Sequence, residues 1–334
     1  MSKATLRMIL TVTMVVGLSL NSYGATFTTF DVPGAIGTYA DAINAAGQIV
    51  GFYVDDTNVH GFLRQTDGSF VSIDPPGANG TIAIAINSSG QISGYYEDAN
   101  SFVHSFLRLT NGSFVTFDPP SSSGTLVGAM NDLGQIVGFF GHSSPKPLGK
   151  NLGFLRNPNG TFVNFLVASD VNTFGYGINL GGQITGYSVD KKGTAHAFLR
   201  KTDGTMVSFD ESRATGTVAF AINQSGKIAG NYSDQNNIVH GLLRQTDGTL
   251  VSFDAPNAIS TNPSAINDAG QIGGNYTDAT YVVHGFLRQP NGTIISFDPP
   301  SSVNAFYIGI NATGQIAGSF FDSTGNAHGF LRAE

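Results

Sequence analysis

Six histidines recur in this chain, His60, His104, His196, His240, His284 and His328, and each stands four residues before an arginine. An aspartate precedes every one of them: Asp55, Asp98, Asp190, Asp234, Asp278 and Asp322. In five copies a further aspartate closes the segment, as in "HGFLRQTDGSFVSID". Imidazole beside carboxylate is the pairing of general acid–base catalysis, and several imidazoles together suit zinc. Whether either chemistry applies depends on where the chain places these residues.

The placement follows from repetition. An "IN..GQI.G" element returns at Asn44, Asn87, Asn131, Asn179, Asn223, Asn267 and Asn311, at spacings of 43, 44, 48, 44, 44 and 44 residues. Each unit of about 44 residues holds four strand-like runs, such as "IAIAIN", "QISGYY", "HSFLR" and "SFVTFD". The first pair is joined by an Asn-x-x-Gly turn, the last pair by Asp-Gly or Asn-Gly, a strong hairpin signal. Prolines such as those of "DPPGANGT" end the fourth run and begin a longer crossover. Low charge, 43 Gly and 25 Phe in 334 residues fit a chain made of short strands and tight turns.

These features predict an all-β fold, a seven-bladed β-propeller of four-stranded antiparallel blades. Residues from 26 begin with a fourth strand, "FTTFD", and the chain finishes with a third strand, "HGFLR", that has no fourth after it. Pairing of the N-terminal and C-terminal strands would complete the seventh blade and close the ring. The position two before each repeated Asn is always small (Ala42, Ala85, Ala129, Gly177, Ala221, Ala265, Gly309), which marks that run as the crowded innermost strand. Residues 26–334 are therefore expected to form one propeller domain.

On such a ring the histidines fall on third strands of separate blades. Equivalent points on packed sheets lie about 10 Å apart or more, whereas ligands of one zinc ion each approach to about 2 Å. The six are expected to be scaffold, each paired with the aspartate of its own loop. The arginines are expected to lie over Phe rings or beside an acid.

Residues 1–25 have the form of a secretory signal peptide: Lys3 and Arg7, an apolar run from Met8 to Leu20, then small residues near Gly24 and Ala25. The apolar run is short of the ~20 residues that span a bilayer, so no membrane insertion is expected after cleavage. Without Lys3 and Arg7 the chain has 14 basic against 23 acidic residues, a balance of −9. A basic surface for nucleic acid is not expected. No Cys is present, which rules out disulfides and thiolate metal sites.

The "HAFLR" of His196 to Arg200, preceded by "GINLGGQITGYS", resembles the HAF-type extracellular repeat family over essentially the whole chain after the leader. The resemblance implies a secreted or periplasmic bacterial repeat protein and carries no reaction with it.

Departures from the repeat are the candidates for function. Blade three carries "FFGHSSPKPLGKNLGF", with His142, Lys146 and Lys150, and has Leu152 in the His position and Leu166 in that of the closing Asp. Asp170 follows in the next crossover. Blade four adds Tyr176 on its innermost strand, Lys191 and Lys192 in a loop, and Glu211 and Arg213 beyond. These form the candidate binding set. Asp41 and Tyr39, with Tyr176, stand on innermost strands within reach of the channel, and the sequence leaves open which way they face. The expected function is a secreted, non-catalytic binding or scaffold propeller, a monomer recognising a polysaccharide or an extracellular protein. The alternative is a hydrolase or lyase with its site at the channel mouth. No catalytic residue, metal ligand or cofactor is assigned, although "DDTN" and "DQNN" resemble fragments of a calcium loop.

Overall fold

The computed structural model describes residues 24–142, 150–168 and 170–334, with residues 307 and 308 described by their backbone alone. The expected leader up to residue 23, and Lys146, lie outside the described residues. Among the described residues all regular structure is β: twenty-eight strands arranged as seven four-stranded antiparallel units. Blade one consists of Gly37–Ile43, Ile49–Val54, Val59–Arg64 and Phe70–Ile73, hydrogen-bonded in chain order. The same order recurs in blades two to six, and one parallel pair, Val239 with Ser260, links blades five and six.

Blade seven is built from both ends of the chain. Asn304–Ile310, Ile316–Phe321 and Ala327–Ala333 supply three strands, and Thr26–Phe30 adds the fourth. It pairs antiparallel to the C-terminal strand from Thr26 opposite Ala333 to Phe30 opposite Gly329. Closure leaves the ring without an open edge between its first and last blades.

Three repeated contacts hold neighbouring blades together, and each explains a residue of the repeat. Third-strand Phe62, Phe106, Phe154, Phe198, Phe286 and Phe330 are fully buried, with Leu242 in the same place in blade five. Full burial of such side chains contributes about 1.5–3 kcal/mol each. The arginine two residues later lies over the fourth-strand Phe of the preceding blade. Arg64 covers Phe30, and Arg156, Arg200, Arg244, Arg288 and Arg332 cover Phe117, Phe165, Phe209, Phe253 and Phe297, at 4.8–5.5 Å. The third contact is a circle of seven asparagines, six of which donate to the next. The Asn44 amide donates to the Asn87 carbonyl, Asn131 to Asn179, Asn179 to Asn223, Asn223 to Asn267, Asn267 to Asn311 and Asn311 back to Asn44, at 3.0–3.2 Å. Each Asn Oδ1 also accepts backbone N–H groups of its own turn, as Asn44 does from Ala46 and Gln48. One buried side chain thus sets a hairpin and joins two blades.

The small residues have a direct cause. A Cβ on Gly177 would come within 3.0 Å of the Phe220 carbonyl oxygen and 3.2 Å of the Ala221 Cα. Innermost strands of neighbouring blades touch backbone to backbone there, which leaves no room for a large side chain.

Candidate functional site

The repeated histidines resolve first. Each is held between two carboxylates, and the closer one is not the expected partner. His60, His104, His196, His240, His284 and His328 place Nδ1 at 2.7–3.1 Å from Asp74, Asp118, Asp210, Asp254, Asp298 and Asp31, the residues that end the fourth strands. The loop aspartates stand farther off, at 3.3–3.8 Å from Nε2. The expected loop pairing is thus the weaker of two contacts, because the antiparallel third and fourth strands bring His and the closing Asp to the same end. In blade three both members of the closer pair are replaced at once, by Leu152 and Leu166. Leu152 packs beside Phe140 and Phe154.

The loop aspartates mainly hold their own turns. Asp55 accepts from the Thr57 hydroxyl and from the N–H groups of Thr57 and Asn58, which lowers its pKa to about 2. Asp278 does the same with Thr280 and Val282 and is also held near 2. Burial pulls His104, His284 and His328 downward, but hydrogen bonds and charge from their two aspartates outweigh it and raise their pKa values. His196 is raised chiefly by its hydrogen bond to Asp210.

The described candidate binding residues fall on several strands, turns and crossovers of blades three and four. His142 ends the second strand of blade three, opposite exposed Lys150 in register. Lys191 and Lys192 are exposed in the turn after Asp190. Asp170 lies near enough to His196 to help raise its pKa. Arg213, 75% exposed, pairs with Glu211 at 3.6 Å. It borders a cleft of about 500 Å³ beside His240, Asp234 and Asp254. Of the described candidates, Tyr176 is the one that lines the central cavity.

At the axis the structure shows a pattern that composition and spacing did not. Every innermost strand carries a one-residue bulge three positions before its repeated Asn: at Asp41, Ile84, Gly128, Tyr176, Phe220, Ser264 and Ile308. A bulge leaves one residue unpaired and re-aims its side chain. Six of these residues, Asp41 to Ser264, line a central cavity of about 290 Å³. Flanking positions are Ala, Gly and Ile almost throughout, whereas the bulge positions hold Asp, Ile, Gly, Tyr, Phe and Ser, with Ile alone occurring twice. That variability within a uniform motif was the available sequence signal.

Towards the crossover side of this waist lies a collar of aromatic rings. Tyr39 stacks on Phe52 at 4.6 Å, and Phe321 meets Tyr39 edge-on. On the far side Tyr176 stacks on Tyr187 at 5.8 Å, within reach of Phe139 and Phe220. Between blades one and seven, Tyr39, Phe52, Phe306, Phe320 and Phe321 line an apolar recess of about 330 Å³, and Asp41 borders both this recess and the central cavity. The Asp41 Oδ2 is cut off from solvent and has no hydrogen-bond partner. Burial raises its pKa to about 8. Burial, then the charge of Asp41, raises Tyr95, and burial with the neighbouring Tyr187 pushes Tyr176 up to about 12.

Comparison with solved structures places this architecture. Virginiamycin B lyase from Staphylococcus aureus superposes with a TM-score of 0.61 at 13% identity, over 93% of this chain and 100% of that one. The chain is a β-propeller. The β-propeller domain of the Trilobed protease from Pyrococcus furiosus matches with a TM-score of 0.59 at 9% identity (88% and 95% of the chains), and the lectin BP39L from Burkholderia pseudomallei with 0.57 at 11% (89% and 95%). The protease domain is described as having an open velcro topology, whereas here the terminal strands pair. No family model and no curated protein matches the chain. At these identities the likeness is one of fold, and propellers of this shape include a lyase and a lectin, so both binding and catalysis are open to it.

Proposed function

We propose that this protein is a secreted binding propeller of the HAF-type repeat kind, which takes part of a polysaccharide or extracellular protein at the aromatic collar of its axial channel. The single observation that carries this reading is the bulge ring. The scaffold residues repeat from blade to blade, while the seven bulge positions hold six different residue types. Aromatic faces and a few polar groups in a concave site are what ligand seats offer. The lectin neighbour supports binding only as a possibility of the fold. The exposed Lys150, Lys191 and Lys192 are secondary, since none of them is among the described residues that line the axial cavity or the apolar recess.

A glycan and peptide array tests the proposal. Selected ligands should lose about tenfold or more in affinity for a Tyr39→Ala/Tyr176→Ala variant whose melting temperature is close to that of the wild type. Loss of binding in a Lys146→Ala/Lys150→Ala variant instead would move the seat to blade three.

A second reading has one observation behind it. A carboxyl with a pKa near 8 is protonated at neutral pH and suits general acid catalysis. Turnover of an array-selected ligand, abolished by Asp41→Asn, would establish it.

A further inference from the structure

Asp41 stands apart from every other acid of the molecule. Most carboxylates here hold a turn or a histidine, but the Asp41 Oδ2 has neither partner nor water access. An acid in this setting costs free energy, since an unpartnered buried carboxyl oxygen forfeits hydrogen bonds that it makes in water. The bulge at Asp41 turns it towards the axis, where it borders both the central cavity and the apolar recess. No Lys, Arg or His lines either space among the described residues. The surroundings are instead π-faces and phenols: Tyr39 and Phe52 beside it, Phe321 from blade seven, and Tyr95 and Tyr176 around the channel.

Carboxylate plus aromatic faces is a combination that favours one ligand class. Ring quadrupoles attract cations, more strongly where water is excluded, and a single acid without basic neighbours lacks only its counter-ion. One carboxylate does not make a site for calcium or magnesium, which take six or more oxygen ligands. Almost no polar atom lines the recess, so it suits an apolar substituent of the ligand rather than its hydroxyls. The two spaces, at about 290 and 330 Å³, together suit a small molecule.

We propose that the axial waist binds a small organic ammonium ion, with Asp41 as its counter-ion, Tyr39 and Phe52 against the cationic group, and the apolar recess between blades one and seven holding the ligand's hydrophobic part. The inference rests on the axial seat proposed above and names the chemistry at its centre. Binding is coupled to release of a proton, because the cation draws Asp41 into its ionised form. The titratable groups that face Asp41 are the phenols of Tyr39 and Tyr95, and burial and the Asp41 charge raise the pKa of Tyr95 further, so the linkage belongs to Asp41.

The test is titration calorimetry of the full chain with benzyltrimethylammonium, whose charge does not change with pH, and with benzyl alcohol as a neutral counterpart. The cation should bind at least about tenfold more tightly than the alcohol at pH 8. Its affinity should rise by up to about tenfold per pH unit from pH 6 to 8 and then level off. Asp41→Asn should remove both the preference and the pH dependence while keeping the fold, and Phe321→Ala should weaken both probes without altering the pH dependence. Equal affinities for cation and alcohol, or an unchanged pH profile in Asp41→Asn, would overturn the inference. If the array-selected ligand still depends on Tyr39 and Tyr176 while the cation shows no binding, the axial seat stands and the ammonium assignment falls.

Discussion

His328 on the last strand places Nδ1 3.0 Å from both carboxylate oxygens of Asp31, which follows the first strand, 297 residues earlier in the chain. Blades one, two, four, five and six each make the same contact within one hairpin. In blade seven it spans the whole molecule.

This contact marks the closure, but it is not what holds it. Asp31 is about half exposed, and such pairs contribute ~0–1 kcal/mol. Phe30, beside it, is buried against Phe62, Phe70 and the Arg64 guanidinium, all of blade one. Phe30→Ala is expected to cost about 3–5 kcal/mol, and Asp31→Asn less than about 1 kcal/mol. Urea denaturation of the two variants checks the ratio, and equal losses would mean that the terminal strand is only loosely seated.

The asparagine ring gives a second prediction. Asn311→Ala removes the donor to the Asn44 carbonyl and the acceptor for the Thr313 and Gln315 N–H groups. Buried groups left without partners cost about 1–3 kcal/mol each, so a destabilisation near the upper end of that range is expected. Amide exchange should speed up in the turns of both blades seven and one. Faster exchange in blade seven alone would show that the amide does not link the two.

A third prediction concerns pH. The depressed loop aspartates, Asp55 and Asp278 near 2 among them, contribute stability that is present above about pH 4 and lost as pH falls through their folded values. The raised histidines, His104, His196, His284 and His328, contribute stability present below about pH 6.5 and lost as pH rises through theirs. Asp41, raised to about 8, works in the same sense as the histidines: its effect is most favourable below pH 4 and fades up to pH 8. The melting temperature should therefore peak between roughly pH 4 and 6.5. Asp41→Asn should raise it at pH 8 and leave it almost unchanged at pH 4. A thermal melt series across pH reads both effects, and a maximum above pH 8 would contradict them.

Much of the ring was legible in the chain. Fixed distances between Asn, Arg and Asp and the complementary terminal runs reflect packing that every blade must repeat, so they surface as sequence identity. The small residues at Gly177 and Gly309 show how backbone contact becomes a sequence rule. The site was harder to read, for a physical reason. A bulge is a matter of hydrogen-bond register, which leaves no signature in composition, so Asp41 and Tyr176 could be placed on innermost strands but not aimed. The closer partner of each His was likewise hidden, since Asp74 and Asp55 are both near His60 in sequence and only strand pairing ranks them. Loop departures such as Lys150 and Lys191 drew notice because they break the repeat, yet the structure places both exposed and outside the lining of the axial cavity.

The most direct measurement is a crystal structure of the protein with an array-selected ligand bound. The account predicts ligand density in the axial channel, within about 4 Å of Tyr39, Asp41 and Tyr176. Density confined to the blade-three loop or to the cleft beside His240, with an empty channel, would contradict it.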